Sequence, residues 1–149
     1  QYLINYPRQK TGETYVIPNS VLVIDNYAFD RNPYLKKVIV GNNVQYIYIG
    51  AFYECKNLET VVLGDSVKDL EGHTFYNCEK LEKIEIPNGV NGDDLELIHT
   101  NVLDIVIKCA LCSNKTKLES GCDGGCEVNK YDFEKLKESV SIEQKENNV

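Results

Sequence analysis

Four cysteines near the end of the chain have a spacing that suits either a metal ion or disulfide bonds. They occur as Cys109-x-x-Cys112 and, after nine further residues, as Cys122-x-x-x-Cys126. Two short cysteine pairs can each supply two thiolates to a tetrahedral zinc ion. In an oxidising compartment the same side chains would form two disulfides, which hold together a small segment with little core of its own. From the spacing alone, both chemistries stay open.

The other chemically capable side chains give little support to an enzyme. The chain has two histidines, His73 and His99, and they stand in unrelated local sequences. Its carboxylates are scattered, without the paired arrangement that general acid and base catalysis needs. The sequence contains no phosphate-binding loop, nucleophile elbow or metalloprotease helix motif. It therefore predicts a protein that is not an enzyme.

The composition of the chain argues against several classes of protein. In 149 residues the formal net charge is −7, 42% of the residues are apolar and Met is absent. The basic residues do not cluster, which disfavours nucleic-acid binding because phosphate contacts supply most of that affinity. No apolar stretch reaches the length of a transmembrane helix, about 20 residues. The missing Met leads us to expect a chain that was processed or cut from a longer one.

The strongest pattern in the sequence is a repeat of 23 residues. Repeats of this length are typical of solenoid proteins, in which each unit stacks on the next. One unit of this size cannot bury enough apolar surface to offset its chain entropy, so neighbouring units must pack together. The apolar columns that share this step are Phe29, Phe52 and Phe75; Leu35, Leu58 and Leu81; Val21, Val44, Val67 and Val90; Ile17, Val40, Leu63 and Ile86; and Ile24, Ile47 and Leu70.

Each unit contains a short strand, a turn and a second extended segment. In one unit Leu35, Val38 and Val40 follow the pattern L-x-x-L-x-L, whose last residues alternate as a strand does. A turn follows, since Asn and Gly tolerate turn geometry and Pro cannot donate to a strand ladder. The turns are Pro18-Asn19-Ser20, Gly41-Asn42-Asn43, Gly64-Asp65-Ser66 and Pro87-Asn88-Gly89. Residues 1–90 are therefore predicted to form a solenoid with a parallel sheet on its concave side.

Several segments of this repeat resemble a known family. YVIPNSVLVIDNYAFDRNPYL, GAFYECKNLETVVLGDSV and FYNCEKLEKIEIPNGV are similar to the BspA-like, Treponema-type leucine-rich repeats, over about residues 3–90. The resemblance implies a right-handed leucine-rich-repeat coil without enzymatic activity. It also implies a protein at or outside the cell surface that is associated with adhesion. Asn32 stands where the family pattern has Cys, and Thr74 where it has Ala, which alters packing detail only.

Outward positions of the strands are the candidate ligand-binding residues. Successive side chains of a strand point to opposite faces, so aligned units give two outward columns. β-Branched apolar residues in register on an exposed face would form a contact stripe for a partner. The alternative is that such residues suit strands wherever they lie. One column has Thr14, Lys37, Thr60 and Lys83, and the other has Val16, Ile39, Val62 and Glu85; all of these except Thr14 are predicted contact residues.

Tyrosines at variable positions of the unit are also predicted to be mostly exposed. Tyrosine offers a large contact area for protein or glycan recognition, but it is equally an ordinary amphipathic surface residue. The residues concerned are Tyr27, Tyr34, Tyr46, Tyr48, Tyr53 and Tyr76. His73 falls where Tyr27 and Gly50 lie in other units, and it is therefore predicted to be a variable surface residue.

Cys55 and Cys78 occupy one column in neighbouring units. Stacked strands lie about 4.8 Å apart, which is near the range for a disulfide. Side chains of one column, however, point in parallel rather than toward each other. Since a free cysteine behaves as a small and often buried apolar residue, we expect two buried thiols.

Residues 91–149 depart from the repeat and are predicted to form a small α/β cap that contains four cysteines. Leu103, Ile105 and Ile107 alternate as a strand does, and we expect them to close the edge of the sheet. Apolar residues at helical spacing predict a short helix over Asp132–Ile142 that covers the end of the core. In the extracellular context that the resemblance implies, Cys109, Cys112, Cys122 and Cys126 are predicted to form two structural disulfides, with structural Zn²⁺ as the alternative.

Together these features predict a leucine-rich-repeat module that binds a protein or a glycan outside the cell or at its surface. No cofactor, nucleic-acid partner or membrane-inserted segment is expected. The rival interpretation is an intracellular repeat scaffold whose zinc-binding tail docks another macromolecule. Thiol counting and metal analysis separate the two interpretations, because disulfides and zinc thiolates differ in both measurements.

Overall fold

The computed structural model describes residues 1–87, 90, 100–102, 104–108 and 115–117. In these ranges the secondary structure consists of short β-strands and turns, without a helix. The strands are β1 Tyr2–Leu3, β2 Thr14–Val16, β3 Val23–Ile24, β4 Lys37–Ile39, β5 Tyr46–Ile47, β6 Thr60–Val62, β7 Asp69–Leu70, β8 Lys83–Pro87, β9 Asp104–Lys108 and β10 Lys115–Lys117. The helix predicted over Asp132–Ile142 lies outside the described residues.

The strands form two sheets that run along a stack of coils. β2, β4, β6 and β8 pair in parallel with the equivalent strand of the next coil, and β9 and β10 extend this sheet to six strands. β1, β3, β5 and β7 form the second sheet, which is parallel throughout. From β2 to β8 the register is one repeat of 23 residues, as in the pair of Val38 and Val61. The predicted leucine-rich-repeat solenoid is confirmed.

The third side of each coil consists of turns. We call residues 25–35, 48–58 and 71–81 the turn side. Alternate amides there donate to the next coil, as from Tyr27 N to Ile49 O at 2.9 Å. The intervening amides close turns within the coil, as from Ala28 N to Asp25 O at 3.2 Å. The turn side is therefore hydrogen-bonded from coil to coil, much as the two sheets are.

The core lies between the three sides and repeats in every coil. Phe29, Phe52 and Phe75 are buried and stack in order, with ring centroids 4.9 and 5.6 Å apart. Tyr6 begins this column with its ring 5.0 Å from that of Phe29. The ammonium group of Lys10 lies 5.0 Å from the Tyr6 ring centroid. A cation over an aromatic face thus stands at the start of the column, where the other coils have a further aromatic ring.

Three of the four turns predicted at the coil corners are present, and the fourth includes residues 88 and 89, which lie outside the described residues. The amide of Val44 donates to Gly41 O at 3.2 Å, and the equivalent amide of Val67 donates to Gly64 O at 3.3 Å. Gly64 is required at its corner because a Cβ there would lie 2.2 Å from the carbonyl oxygen of Gly41. Neighbouring coils therefore meet at this corner with backbone directly against backbone.

The last described coil departs from the 23-residue repeat. β9 pairs in parallel with β8, but at a step of 21 residues, as in the pair of Ile84 and Ile105. Because this step is shorter than the repeat, the residues of β9 do not fall into the 23-residue columns. The apolar columns could therefore not be followed in the sequence beyond Val90. β10 then pairs antiparallel with β9. The strand that contains Ile105 and Ile107 therefore covers the edge of the repeat sheet at β8, as predicted, and β10 adds one further strand beyond it.

Candidate functional site

The outward face of the six-stranded sheet carries two rows of side chains in register. Between the rows, the central residue of each strand points inward, and Val38, Val61 and Ile84 are fully buried. The first row is Thr14, Lys37, Thr60 and Lys83, and the second row is Val16, Ile39, Val62 and Glu85. We call these eight residues the strand face.

Exposure on the strand face falls from the first coil to the last. Val16 is 58% exposed, Ile39 and Val62 are half-buried, and Glu85 is only 6% exposed. Glu85 lies in register with Val106 of β9, which is itself buried, so the accessible part of this row ends before the last coil. The prediction that Glu85 is an accessible contact residue is therefore wrong. The accessible apolar stripe consists of Val16, Ile39 and Val62.

Two lysines lie on the strand face beside this apolar stripe. Lys37 is exposed and Lys83 is half-buried. At the border of the face, Lys36 forms an ion pair with Glu13, with Nζ and Oε1 2.8 Å apart. The hydrogen bond and the charge of that carboxylate raise the pKa of Lys36. A surface that combines apolar groups with carboxylates would complement this arrangement.

The tyrosines predicted to be surface residues divide into two groups. Three of them are exposed: Tyr27, Tyr34 and Tyr46. The other three are half-buried, contrary to the prediction: Tyr48, Tyr53 and Tyr76. Tyr53 and Tyr76 stack with ring centroids 5.2 Å apart and an interplanar angle of 8°. Each ring therefore covers part of its neighbour, which an alignment of variable positions does not reveal.

Sequence reasoning missed a backbone feature of the turn side. Two positions in each of the three described turns have a left-handed φ: the first is occupied by Tyr27, Gly50 and His73, and the second by Arg31, Glu54 and Asn77, with φ between 53° and 60°. The left-handed φ could have been predicted from Gly50 and Asn77, because Gly and Asn tolerate this conformation best. Bulky residues in the same columns concealed it. Tyr27, Arg31 and His73 also line a surface cleft.

Cys55 and Cys78 are fully buried and are not joined by a disulfide. Each Sγ donates to a carbonyl oxygen of the preceding coil, Cys55 to Phe29 O at 3.0 Å and Cys78 to Phe52 O at 3.1 Å. Burial raises the pKa of Cys55 to about 12 and that of Cys78 well above its usual value. Since the thiolate is the reactive form, these thiols pack and donate hydrogen bonds rather than react.

The two departures from the family pattern satisfy buried polar groups. Asn32 stands in the column of Cys55, and its amide donates to Pro7 O of the preceding coil at 3.3 Å. Its Oδ1 accepts from two backbone amides, both at 2.9 Å. Thr74 is buried as well, and its hydroxyl donates to Glu71 O. Both polar replacements are therefore compatible with burial because each makes hydrogen bonds to the backbone.

The described residues contain no group of three or more His, Cys, Asp or Glu side chains that could hold a metal ion. Cys109, Cys112, Cys122 and Cys126, for which disulfides or zinc were predicted, lie outside those residues. No helix in the described part of the chain is long and apolar enough to cross a membrane. His73 is exposed, as predicted, and its ring contacts that of Tyr76 edge to face at 5.5 Å.

Comparison with known proteins agrees with the repeat and the fold. Residues 8–126 match the BspA type leucine rich repeat region in six copies, which reaches beyond the end of the repeats expected at Val90. No curated protein matches the sequence.

Two solved structures are similar to this chain. A leucine rich cell surface protein from Faecalibacterium prausnitzii A2-165 is 24% identical with a TM-score of 0.47, over 73% of this chain and 35% of that one. The pneumococcal vaccine antigen PcpA is 23% identical with a TM-score of 0.56, over 75% of this chain and 34% of that one. The chain therefore spans about a third of the length of either structure. The likeness to PcpA supports the solenoid fold.

Proposed function

This chain belongs to the family of BspA type leucine-rich repeat proteins, and we propose that it is a non-enzymatic module that binds a protein through its strand face. The observation that carries the proposal is the accessible stripe of Val16, Ile39 and Val62, held in register by β2, β4 and β6. Parallel pairing fixes the spacing of these side chains, so little conformational freedom is lost when a partner binds.

The side chains of the strand face favour a protein ligand over a glycan. Its eight residues include no aromatic ring on which a sugar could stack. Its aliphatic centre is bordered by Lys37 and Thr60, which resembles the apolar core and polar rim of protein interfaces. We infer a ligand whose contact surface combines apolar side chains with carboxylates, because these complement the stripe and the lysines.

The test measures binding of the purified chain to immobilised fibronectin, laminin and collagen by surface plasmon resonance. The double substitution Ile39→Asp and Val62→Asp places two carboxylates in the apolar stripe, and we expect affinity to fall by about tenfold or more. Ile49→Asp is the matched control, because Ile49 is 41% exposed and lies outside the strand face. Melting temperatures of all variants establish that the fold is kept.

Three results would contradict the proposed function. The first is that none of the three matrix proteins binds the wild-type chain. In the second, the double variant binds as tightly as the wild type. In the third, Ile49→Asp weakens binding as much as the double variant does, which would place the contact elsewhere on the coils.

We further propose that the protein lies outside the cell or at its surface and acts in adhesion, the location and role that its resemblance to the BspA-like repeats implies. The state of the four tail cysteines tests this location. If they form disulfides, the unfolded and unreduced chain has two titratable thiols, Cys55 and Cys78, and reduction raises the number to six. Bound zinc, together with six titratable thiols in the unfolded chain after chelation and without reductant, would instead favour the intracellular scaffold with a zinc-binding tail.

A further inference from the structure

A cleft opens on the turn side, away from the strand face. Its volume is about 530 Å³, within the usual range of about 300 to 1,000 Å³ for small-ligand sites. Three successive coils contribute its lining, which consists of Tyr27, Asp30, Arg31, Tyr53, His73 and Tyr76. Because the residues come from equivalent turns of stacked coils, the coil spacing fixes their separation.

Aromatic rings form most of the cleft. Tyr27 meets Tyr53 edge to face with centroids 5.9 Å apart, and Tyr53 stacks on Tyr76 at 5.2 Å. His73 in turn meets Tyr76 edge to face at 5.5 Å. The four rings therefore form one continuous surface. Tyr27 is the most accessible of the three tyrosines, at 46% exposure.

The position of Tyr27 depends on a gap in the next coil. Gly50 occupies the same column one repeat later, and a Cβ there would lie 2.4 Å from Cε1 of Tyr27. The tyrosine ring thus leans across the second coil in space that any other residue would fill. The column that contains Tyr27 and His73 has glycine between them, at Gly50. Because this glycine has no side chain, the Tyr27 ring can lie beside Tyr53.

Three of the six lining residues are held in a strained backbone conformation. Tyr27, Arg31 and His73 have φ of 55°, 54° and 59°, in the left-handed region where bulky residues are disfavoured. Gly50 shows that the same turn accepts glycine without such strain. Strained residues that are retained against their preference cluster at ligand sites. Glu54 and Asn77 have the same conformation outside the cleft, so the strain belongs to the repeated turn, and the cleft lies where three of these positions carry Tyr27, Arg31 and His73.

The charges of the cleft are already compensated. Asp30 forms an ion pair with Arg8, and Arg31 forms one with Glu54 at 3.0 Å. The guanidinium of Arg31 also lies 5.9 Å from the Tyr53 ring centroid, where a cationic ligand would otherwise bind. The Arg31 guanidinium would repel a cationic ligand, and the Asp30 carboxylate would repel an anionic one. The cleft therefore suits an uncharged ligand that carries both hydrogen-bond donors and acceptors.

We propose that this cleft is a second binding site, for a neutral glycan. One pyranose ring would place its C–H face on the exposed ring of Tyr27, while its hydroxyls accept from Arg31 and donate to the Asp30 carboxylate. Aromatic faces beside paired charged groups are the chemistry that an uncharged, polyhydroxylated ring requires. The site is separate from the strand face and does not depend on the protein ligand proposed for that surface.

The test measures binding of four neutral oligosaccharides, maltotriose, cellotriose, tri-N-acetylchitotriose and N-acetyllactosamine, by saturation-transfer NMR and calorimetry. At least one is expected to bind with a dissociation constant of about 1 mM or below. Tyr27→Gly removes the ring but keeps a residue that accepts the left-handed φ. This variant is expected to bind about tenfold more weakly, with a melting temperature no lower than that of the wild type.

Tyr46→Ala is the matched control, because Tyr46 is 38% exposed and is not among the residues that line the cleft. Its affinity should equal that of the wild type. The proposal is overturned if none of the four oligosaccharides binds, if Tyr27→Gly binds as the wild type does, or if Tyr46→Ala weakens binding equally. Because the probes are glycans, these results are independent of binding to matrix proteins.

Discussion

The strand face and the turn side belong to the same coils, but their backbones restrict side chains differently. On the strand face the backbone is extended, so an outward residue such as Lys37 or Thr60 can be exchanged without backbone strain. On the turn side, positions such as Arg31 and His73 have left-handed φ, which only glycine adopts freely. A substitution on the surface of the strand face should therefore cost little free energy. A residue other than glycine at these turn positions carries a backbone penalty.

The two sides also differ in how they fill the core. Each of the strands β4 and β6 buries one central side chain, Val38 or Val61. The turn side buries the aromatic column, in which Phe52 stacks between Phe29 and Phe75. Packing of these rings offsets the strain of the turns around them. We therefore expect the stability of the stack to depend most on the turn side, the side of the coil with the less regular backbone.

Phe52→Ala is the test of this difference with the largest expected effect. It removes a ring from the middle of the aromatic column and is expected to lower the free energy of unfolding by about 3–5 kcal/mol. Val61→Ala, at the equivalent depth on the strand side, removes only two methyl groups and should cost about 2 kcal/mol. Urea unfolding followed by circular dichroism measures both. Equal losses for the two variants would show that the sides contribute alike.

Gly50→Ala tests whether the turn-side backbone and the cleft are coupled. Alanine at φ +60° is strained and its Cβ meets the Tyr27 ring, so we expect a loss of about 2–3 kcal/mol. In a Tyr27→Ala background only the backbone strain remains, and the loss should shrink to about 1–2 kcal/mol. The double-mutant cycle yields the coupling between the two residues. Strictly additive effects would mean that the tyrosine ring does not rest on Gly50.

The core and the strand rows were predictable from the sequence because both follow from periodicity. The apolar column of Phe52 repeats through three successive coils, and strand alternation places Ile39 outward whatever its neighbours are. The burial of Glu85 was not predictable, since it depends on the coil beside it, where the step shortens to 21 residues. The cleft was hidden for another reason. The cleft arises from side chains that differ between coils, so no column of equivalent residues predicts it. The role of Gly50 can be recognised only in the structure, where the Tyr27 ring leans across it.

The buried thiols of the turn side predict a dependence of stability on alkaline pH. In the unfolded chain Cys55 ionises near pH 8.5, whereas burial raises its pKa to about 12 in the folded protein. The unfolded state thus releases a proton that the folded state retains, so stability is full below this range and falls as the pH rises from about 9 toward 12. The loss should be about 1.4 kcal/mol per pH unit for this thiol.

Cys55→Ala removes the contribution of that thiol, and comparison with the wild type cancels the other groups that titrate at high pH. Urea unfolding in the presence of reductant, between pH 8 and 10.5, should therefore show a shallower decline for the variant. The strand face has no cysteine, so the effect belongs to the turn side. Parallel declines for the two proteins would mean that the thiolate is tolerated in the folded state and that the site is open to water.

The prediction with the smallest effect compares the two backbones most directly. Substitution by glycine should destabilise the protein at one position and stabilise it at the other. Thr60→Gly loosens an extended strand and should destabilise the protein by about 1 kcal/mol. At His73, with φ +59°, glycine relieves a strain of about 1–2 kcal/mol and adds about 0.5–1 kcal/mol of chain entropy, so His73→Gly should stabilise by about 0.5–1 kcal/mol. Chemical denaturation resolves both. If His73→Gly destabilised as Thr60→Gly does, contacts of the imidazole, such as that with Tyr76, would outweigh the backbone strain, and the left-handed turn would be held by its side chains.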